Sequence, residues 1–397
     1  MAARTVSNDE KAAVWEAYRR GQPVRVPVQL GTNPRIVVLN PQLNPGFSFE
    51  QAAQDPEAHV EVVLRYQHYL HTVLNHCTDA PTGLPDVWPV NLYTYNVYEA
   101  ALLGAKVVYT SNSVPATEPW LDESNKEAVF DLPIDRPLEL PFIRDRLAFW
   151  HEMKRVCAGR TFEGRPVQLM PWALTGTDGP VTVACNLRGD AFLEDLIADP
   201  EYADRLLTFV TRAAIERRRA FQQYWGEQIG RGNGMADDAC LMVSPRMYEQ
   251  RVLPHHRRFY EAVDHRLPRS MHLCGDAGHL LPMIHVQLGV NSFDTGFPID
   301  HGALREQLGP DVELLGGPRI ALLLSGSTEQ VYRETKRILH SGVTEGGRFV
   351  LREGNNLPPC CPLENLEAMY AACLEHGWYD HASGAPRLVS AKEHVAR

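Results

Sequence analysis

The chain has 397 residues, 44% hydrophobic and 22% charged, with a formal net charge of −10. That length suits one large α/β barrel or two smaller domains, and the acidic balance argues against nucleic acid or an anionic membrane as a partner. The opening Met1-Ala-Ala-Arg-Thr-Val-Ser carries no apolar leader, and no run nears the roughly 20 apolar residues that span a bilayer, so a cytoplasmic setting is expected. Eight cysteines without framework spacing are expected to stay reduced.

In chain order, residues 8–20 read as an entry helix capped by Ser7 or Asn8, with Ala12, Val14, Trp15 and Tyr18 on its apolar face. Val24 to Leu30 reads as a first strand, ended by Gly31-Thr-Asn-Pro34. Residues 40–54 read as an irregular loop, and Asp55-Pro56-Glu57 opens a helix to about Asn75. Asp86-Val-Trp-Pro-Val90 fits a second strand; residues 108–140 form a long excursion with a local hairpin, and 141–157 a helix. From residue 166 strands and helices alternate regularly. The strand centres fall near 26, 88, 169, 234, 272, 293, 315 and 350, each followed by a helix. That is the count of a closed (β/α)8 TIM barrel with an N-terminal helical extension, in one domain over 1–379, followed by a loose tail at 380–397. No Gly-x-Gly-x-x-Gly follows the first strand to suggest a dinucleotide crevice.

Chemistry in such a barrel gathers at the C-terminal ends of the strands. His272 and Cys274, two apart, share one face of the fifth strand while Met271 and Leu273 share the other. Imidazole and thiolate side by side supply two ligands of a catalytic zinc site, although a buried His beside an inert Cys is the plain alternative. Cys360 and Cys361, beyond the last strand, are candidates to complete the set, or part of a simple loop after Pro358-Pro359. Asp86 opens the second strand and Trp172 ends the third; Asp237 and Asp238 end the fourth and Asp294 the sixth. Gly316-Gly317 ends the seventh, and Glu353, Asn355 and Asn356 the eighth. Asp86, Asp237, Asp294 and Asn355 are therefore the expected catalytic groups, and Trp172, Gly316 and Gly317 the expected contacts to a bound cofactor. Asp294 or Asp237 could orient His272 from behind. Individually these residues also suit helix caps and turns.

Gly179-Pro-Val-Thr-Val-Ala through Arg188-Gly189, Asp237 to Pro245 with Tyr248 and Pro254, His272-Leu-Cys-Gly-Asp276, Leu315-Gly-Gly-Pro318 and Gly354-Asn-Asn-Leu to Asn365 resemble the uroporphyrinogen decarboxylase superfamily. That superfamily includes corrinoid-linked methyltransferases. The resemblance covers most of 160–375 and implies a barrel with its pocket at the mouth. It further implies His272 and Cys274 as zinc ligands, with Asn355 where a third, cysteine ligand stands in the methyltransferases. The decarboxylases' arginine loop is reduced here to Leu30-Gly-Thr-Asn-Pro-Arg35, and Asn355 replaces their eighth-strand histidine; Asp86 falls where they keep a pocket aspartate. The leading expectation is methyl transfer between a small or corrinoid-bound substrate and a thiol, with zinc as cofactor and a corrinoid protein as partner. The alternatives are a metal-free decarboxylase of a tetrapyrrole or small acid, and a non-catalytic corrinoid- or tetrapyrrole-binding protein.

Overall fold

The computed structural model describes residues 6–229, 233–262, 268–381 and 387–395. Residues 382–386 and 396–397 of the expected tail lie outside them. Seven strands are β1 (Trp88–Val90), β2 (Arg165–Leu169), β3 (Gly234–Ala236), β4 (Arg269–Leu273), β5 (Val290–Thr295), β6 (Glu313–Gly316) and β7 (Phe349–Leu351). The eighth position is taken by the extended segment 25–30, where Val28 bridges in parallel to Leu351. The fold is a TIM barrel, and every expected strand centre falls in or beside one of its staves.

The staves are not joined alike. From β3 to β7 one continuous parallel ladder runs around the barrel. On the other side β1 pairs only with β2, and β2 reaches β3 through a single bridge from Asp178 to Ala236. The segment 25–30 is tied inward by Thr78 and Asp79: the Asp79 N–H donates to the Val28 carbonyl at 2.8 Å. The Asp79 carboxylate takes the Arg25 guanidinium in a two-pronged pair, both bonds 2.6 Å and both side chains fully buried.

Binary patterning explains the staves. All three residues of β7 are buried, as befits a strand covered on both faces. In β4, Met271 and Leu273 are each 1% exposed and face the helices, whereas His272 and Cys274 keep partial exposure on the opposite face. The main helices are α1 (Asn8–Arg19), α2 (Pro56–Thr72), α3 (Pro141–Cys157), α4 (Pro180–Arg188), α5 (Pro200–Trp225), α6 (Leu253–Ala262), α7 (Thr328–Ile338) and α8 (Leu363–His376). Ser7 caps α1, and Asp55 caps α2 with proline at its first position.

Two expectations need correction. The supposed loop at 40–54 contains a helix, Phe49–Gln54, because Ser48 and Gln51 form a capping box that satisfies the first-turn amides. The supposed loose tail carries a strand, Arg387–Val389, paired with Trp378–Asp380, and a helix in which His394 stacks 4.5 Å from Trp378. The excursion after 108 does hold a hairpin, Lys106–Val108 against Ala116–Glu118. Among the described residues no helix is long and apolar enough to cross a membrane.

Candidate active site at the barrel mouth

Register brings the site together. Ala236 of β3 pairs with His272 of β4, and His272 pairs with Asp294 of β5. Two residues beyond those pairs, Asp238 comes level with Cys274, and its Oδ1 accepts the Cys274 backbone N–H at 2.7 Å. Asp238, His272 and Cys274 thus converge, one ligand atom from each lying within 4.8 Å of the others. They line a cleft of about 740 Å3 with Asp178, Asp294, Arg35, Arg352, Asn355 and Asn356.

Asp294 sets the state of the histidine. His272 donates from Nδ1 to Asp294 Oδ2 at 2.7 Å, which leaves Nε2 turned toward Cys274 Sγ, 2.5 Å away. Burial opposes a charge on His272, but the hydrogen bonds to Asp294 and Cys274 outweigh it and hold the pKa up at about 10. Burial likewise raises Cys274 and Asp238, each restrained by the facing His272. Arg352 donates to Asp294 at 2.8 Å and to Glu353 at 2.9 Å, locking the carboxylate that holds the imidazole. The buried Asp294 Oδ1, Arg352 Nε and Arg35 Nε have no protein partner, and the three residues line the cleft with charges of both signs.

Next to Ala236 on the neighbouring side of β3, Asp178 sits over a buried acid. Glu99 accepts from the Asp178 N–H, the Thr177 hydroxyl and Arg217. Burial and then the Glu99 charge push the Asp178 carboxyl up to about 8.

The donor set suits zinc: one thiol, one imidazole whose Nε2 faces that thiol, and one carboxylate, three unlike ligands at an open cleft. Cys360 and Cys361 are not part of it. Leu357 is tied to Gly31 by a 2.8 Å backbone bond, after which the chain turns outward. Cys360 Sγ then lies 3.8 Å from the Leu39 carbonyl, and Cys361 Sγ 3.5 Å from that of Leu323, both outside the cleft lining.

Other expected residues divide. Asp294 and Asn355 line the cleft. Asp86 precedes β1, at the end opposite the mouth, with its side chain fully exposed near Arg165. Asp237 is fully buried beneath the mouth, where it anchors α4. It accepts the Thr182 N–H at 2.7 Å, the Thr182 hydroxyl at 2.8 Å and a 2.7 Å bond from His256, itself bonded to Tyr248. A side chain at Gly179 would meet Asp237 at 2.5 Å, which is why the approach to this helix needs glycine. Trp172 is a core residue, edge-on to Phe221, its carbonyl accepting from Trp225 at 2.6 Å. Gly316 and Gly317 allow close packing rather than a cofactor cradle: a Cβ at either would strike His301 or the Arg352 backbone.

Asp178 and Arg352 were not singled out from sequence, Arg35 was read only as the remnant of an arginine loop, and Asp238 only as a strand-end acid. The signal for Asp238 was present: two residues past Ala236, it shares the alternation of His272 and Cys274. Asp178 gave no such signal, because it follows β2 through an irregular loop.

A family model for uroporphyrinogen decarboxylase (URO-D) matches residues 90–376. The chain belongs to the URO-D family. Among curated relatives, a methylated-thiol–coenzyme M methyltransferase of Methanosarcina mazei is 30% identical over 203 residues, covering 49% of this chain and 51% of that protein. A methylcobamide:CoM methyltransferase MtaA of Methanosarcina barkeri is 26% identical over 204 residues, 51% of this chain and 57% of its own. A uroporphyrinogen decarboxylase of Pelobacter propionicus is 24% identical over 245 residues, 58% and 66% of the two chains. The chain thus spans between half and two thirds of the length of these relatives. A solved methyltransferase from Methanosarcina mazei shares the fold, with a TM-score of 0.61 at 20% identity, over 92% of this chain and 98% of that one.

Proposed function

We propose that this URO-D family chain is a methyltransferase that moves a methyl group from a small methylated substrate, or from a corrinoid carried by a partner protein, to a thiol. The observation that carries the reading is the Asp238, His272 and Cys274 set at the mouth of the barrel. Its support from kinship is that two of the relatives named above are methyltransferases acting with coenzyme M. Zinc would be held by Asp238, His272 and Cys274, and would supply there the Lewis acidity that favours ionisation of a thiol. The chain's own groups prepare that position. Asp294 and Arg352 fix the imidazole, the Cys274 amide fixes Asp238, and the Arg35 and Arg352 side chains line the cleft with positive charge that suits an anionic part of the substrate.

The test is loss of methylcobalamin absorbance in the presence of coenzyme M, with zinc content measured in parallel. Near-stoichiometric zinc and turnover are expected, both falling by about 100-fold or more in Asp238→Ala, His272→Ala and Cys274→Ser. A wild type that takes up no zinc after loading, or turnover that survives all three substitutions, overturns the proposal.

One observation favours a second reading. Asp178, with its carboxyl pushed up to about 8, is protonated at neutral pH in the cleft and suits the proton delivery that decarboxylation requires. Carbon dioxide release from uroporphyrinogen that is abolished by Asp178→Asn and untouched by Cys274→Ser would place the chain with the decarboxylases instead.

A further inference from the structure

A second chamber of opposite character adjoins the cleft. It measures about 240 Å3, and its walls include Phe49, Tyr93, Tyr95, Tyr109 and Phe142. Val97 and Pro115 line both spaces, so they share a wall. An apolar cavity of about 150 Å3 takes up benzene. The chamber therefore has room for one substituted ring and none for a tetrapyrrole.

A cation breaks this apolar lining. Arg146, on α3, donates to the Ala53 carbonyl at 2.6 Å and lies 4.7 Å over the Phe149 ring. Among the described residues no carboxylate stands within ion-pair distance of it; Asp145 also lines the chamber but is exposed and makes no such pair. Burial lowers the pKa of Arg146, and the Tyr109 and Asp145 charges offset this only in part. Among the titratable groups that share the chamber wall with Arg146, His59 is occupied: it donates from Nδ1 to Ala52 at 2.8 Å and accepts the Tyr93 N–H at Nε2 at 3.2 Å. A half-buried guanidinium with no ion-pair partner, beside aromatic walls, is stabilised by an anion attached to an apolar body.

We propose that this chamber binds a small single-ring carboxylate, its ring held among Tyr93, Tyr95 and Phe142 and its carboxylate paired with Arg146. That the same molecule is a substrate rests on the methyl-transfer reading; its binding does not.

Titration calorimetry of the full chain with benzoate, and with benzamide as the neutral isostere, tests this without any turnover assay. Benzoate is expected to bind at least 10-fold more tightly than benzamide. Arg146→Gln should weaken benzoate about 10- to 100-fold and leave benzamide within about 3-fold, as removal of one charge-assisted pair predicts. Arg146→Lys should keep part of the preference, and Ala53→Phe, which fills the chamber, should abolish both. A thermal melt of each variant checks folding. Equal binding of the two probes, no benzoate binding, or benzoate binding that survives both Arg146→Gln and Ala53→Phe overturns the proposal. Because zinc content is not a readout here, failure of this test is distinguishable from failure of the methyl-transfer reading.

Discussion

The two halves of the barrel are built by different means. From β3 to β7 five strands form one ladder, and the candidate metal ligands lie on or just past adjacent, register-locked staves of it. From residue 25 to Asp178 the ladder is broken, and buried charged pairs, Arg25 with Asp79 and Arg217 with Glu99, do the joining. The continuous half fixes donor atoms by backbone hydrogen bonds at regular spacing, so a site there needs little beyond alternation. The broken half leaves gaps between staves, and the aromatic chamber lies among its helices and loops. Regular pairing positions chemistry; irregular closure leaves room for a ligand.

The sharpest way to break this comparison is the metal. The double variant Cys360→Ser, Cys361→Ser should keep zinc at wild-type stoichiometry, while Asp238→Asn should lose most of it, by metal analysis after dialysis. The reverse result would move the site off the ladder and onto the eighth loop.

The next largest effect lies in the broken half. Arg25→Met leaves the Asp79 carboxylate buried without its partner and should cost about 3–5 kcal/mol in urea unfolding. The double variant Arg25→Met, Asp79→Leu should recover much of that loss. A small cost for the single variant would mean that this half does not depend on its charged closure.

A pH effect of similar reach tests the packing behind β6. His301 is buried with neither ring nitrogen partnered, and burial, with the Arg337 charge, pulls its pKa down to about 4. In the unfolded chain it protonates near pH 6.5, so between about pH 6.5 and 4 the unfolded state takes up a proton that the folded state refuses. This contribution to stability is full above about pH 6.5 and is lost as the pH falls toward 4, by up to about 3 kcal/mol. His301→Leu should flatten that part of the stability profile; an unchanged slope would show that His301 is not the group responsible.

The smallest effect compares the halves directly. Ser48 and Ser327 each open a helix with a capping box, one over the chamber and one in α7 on the continuous side. Replacing either by Ala should cost about 1 kcal/mol. Because the Phe49–Gln54 helix contributes to the chamber wall, Ser48→Ala should also weaken benzoate binding, and Ser327→Ala should not.

The sequence by itself determined the eight staves and the pairing of His272 with Cys274 on one face, because apolar periodicity and two-residue alternation are local properties of the chain. Asp294 and Asn355 line the cleft, since both follow directly from a strand end. Only the tertiary structure decided which acid completes the donor set. Asp237 and Asp238 are neighbours with the same charge, and strand alternation sends one beneath α4 to His256 and the other into the cleft beside Cys274. It also decided that Asp86 faces solvent at the far end of its strand and that Cys360 and Cys361 turn away with their loop. Arg146 gained its place in the same way. Its setting comes from Ala53, Phe149 and the distant Tyr93 and Tyr95, contacts that exist only once α3 has packed against the broken side of the barrel.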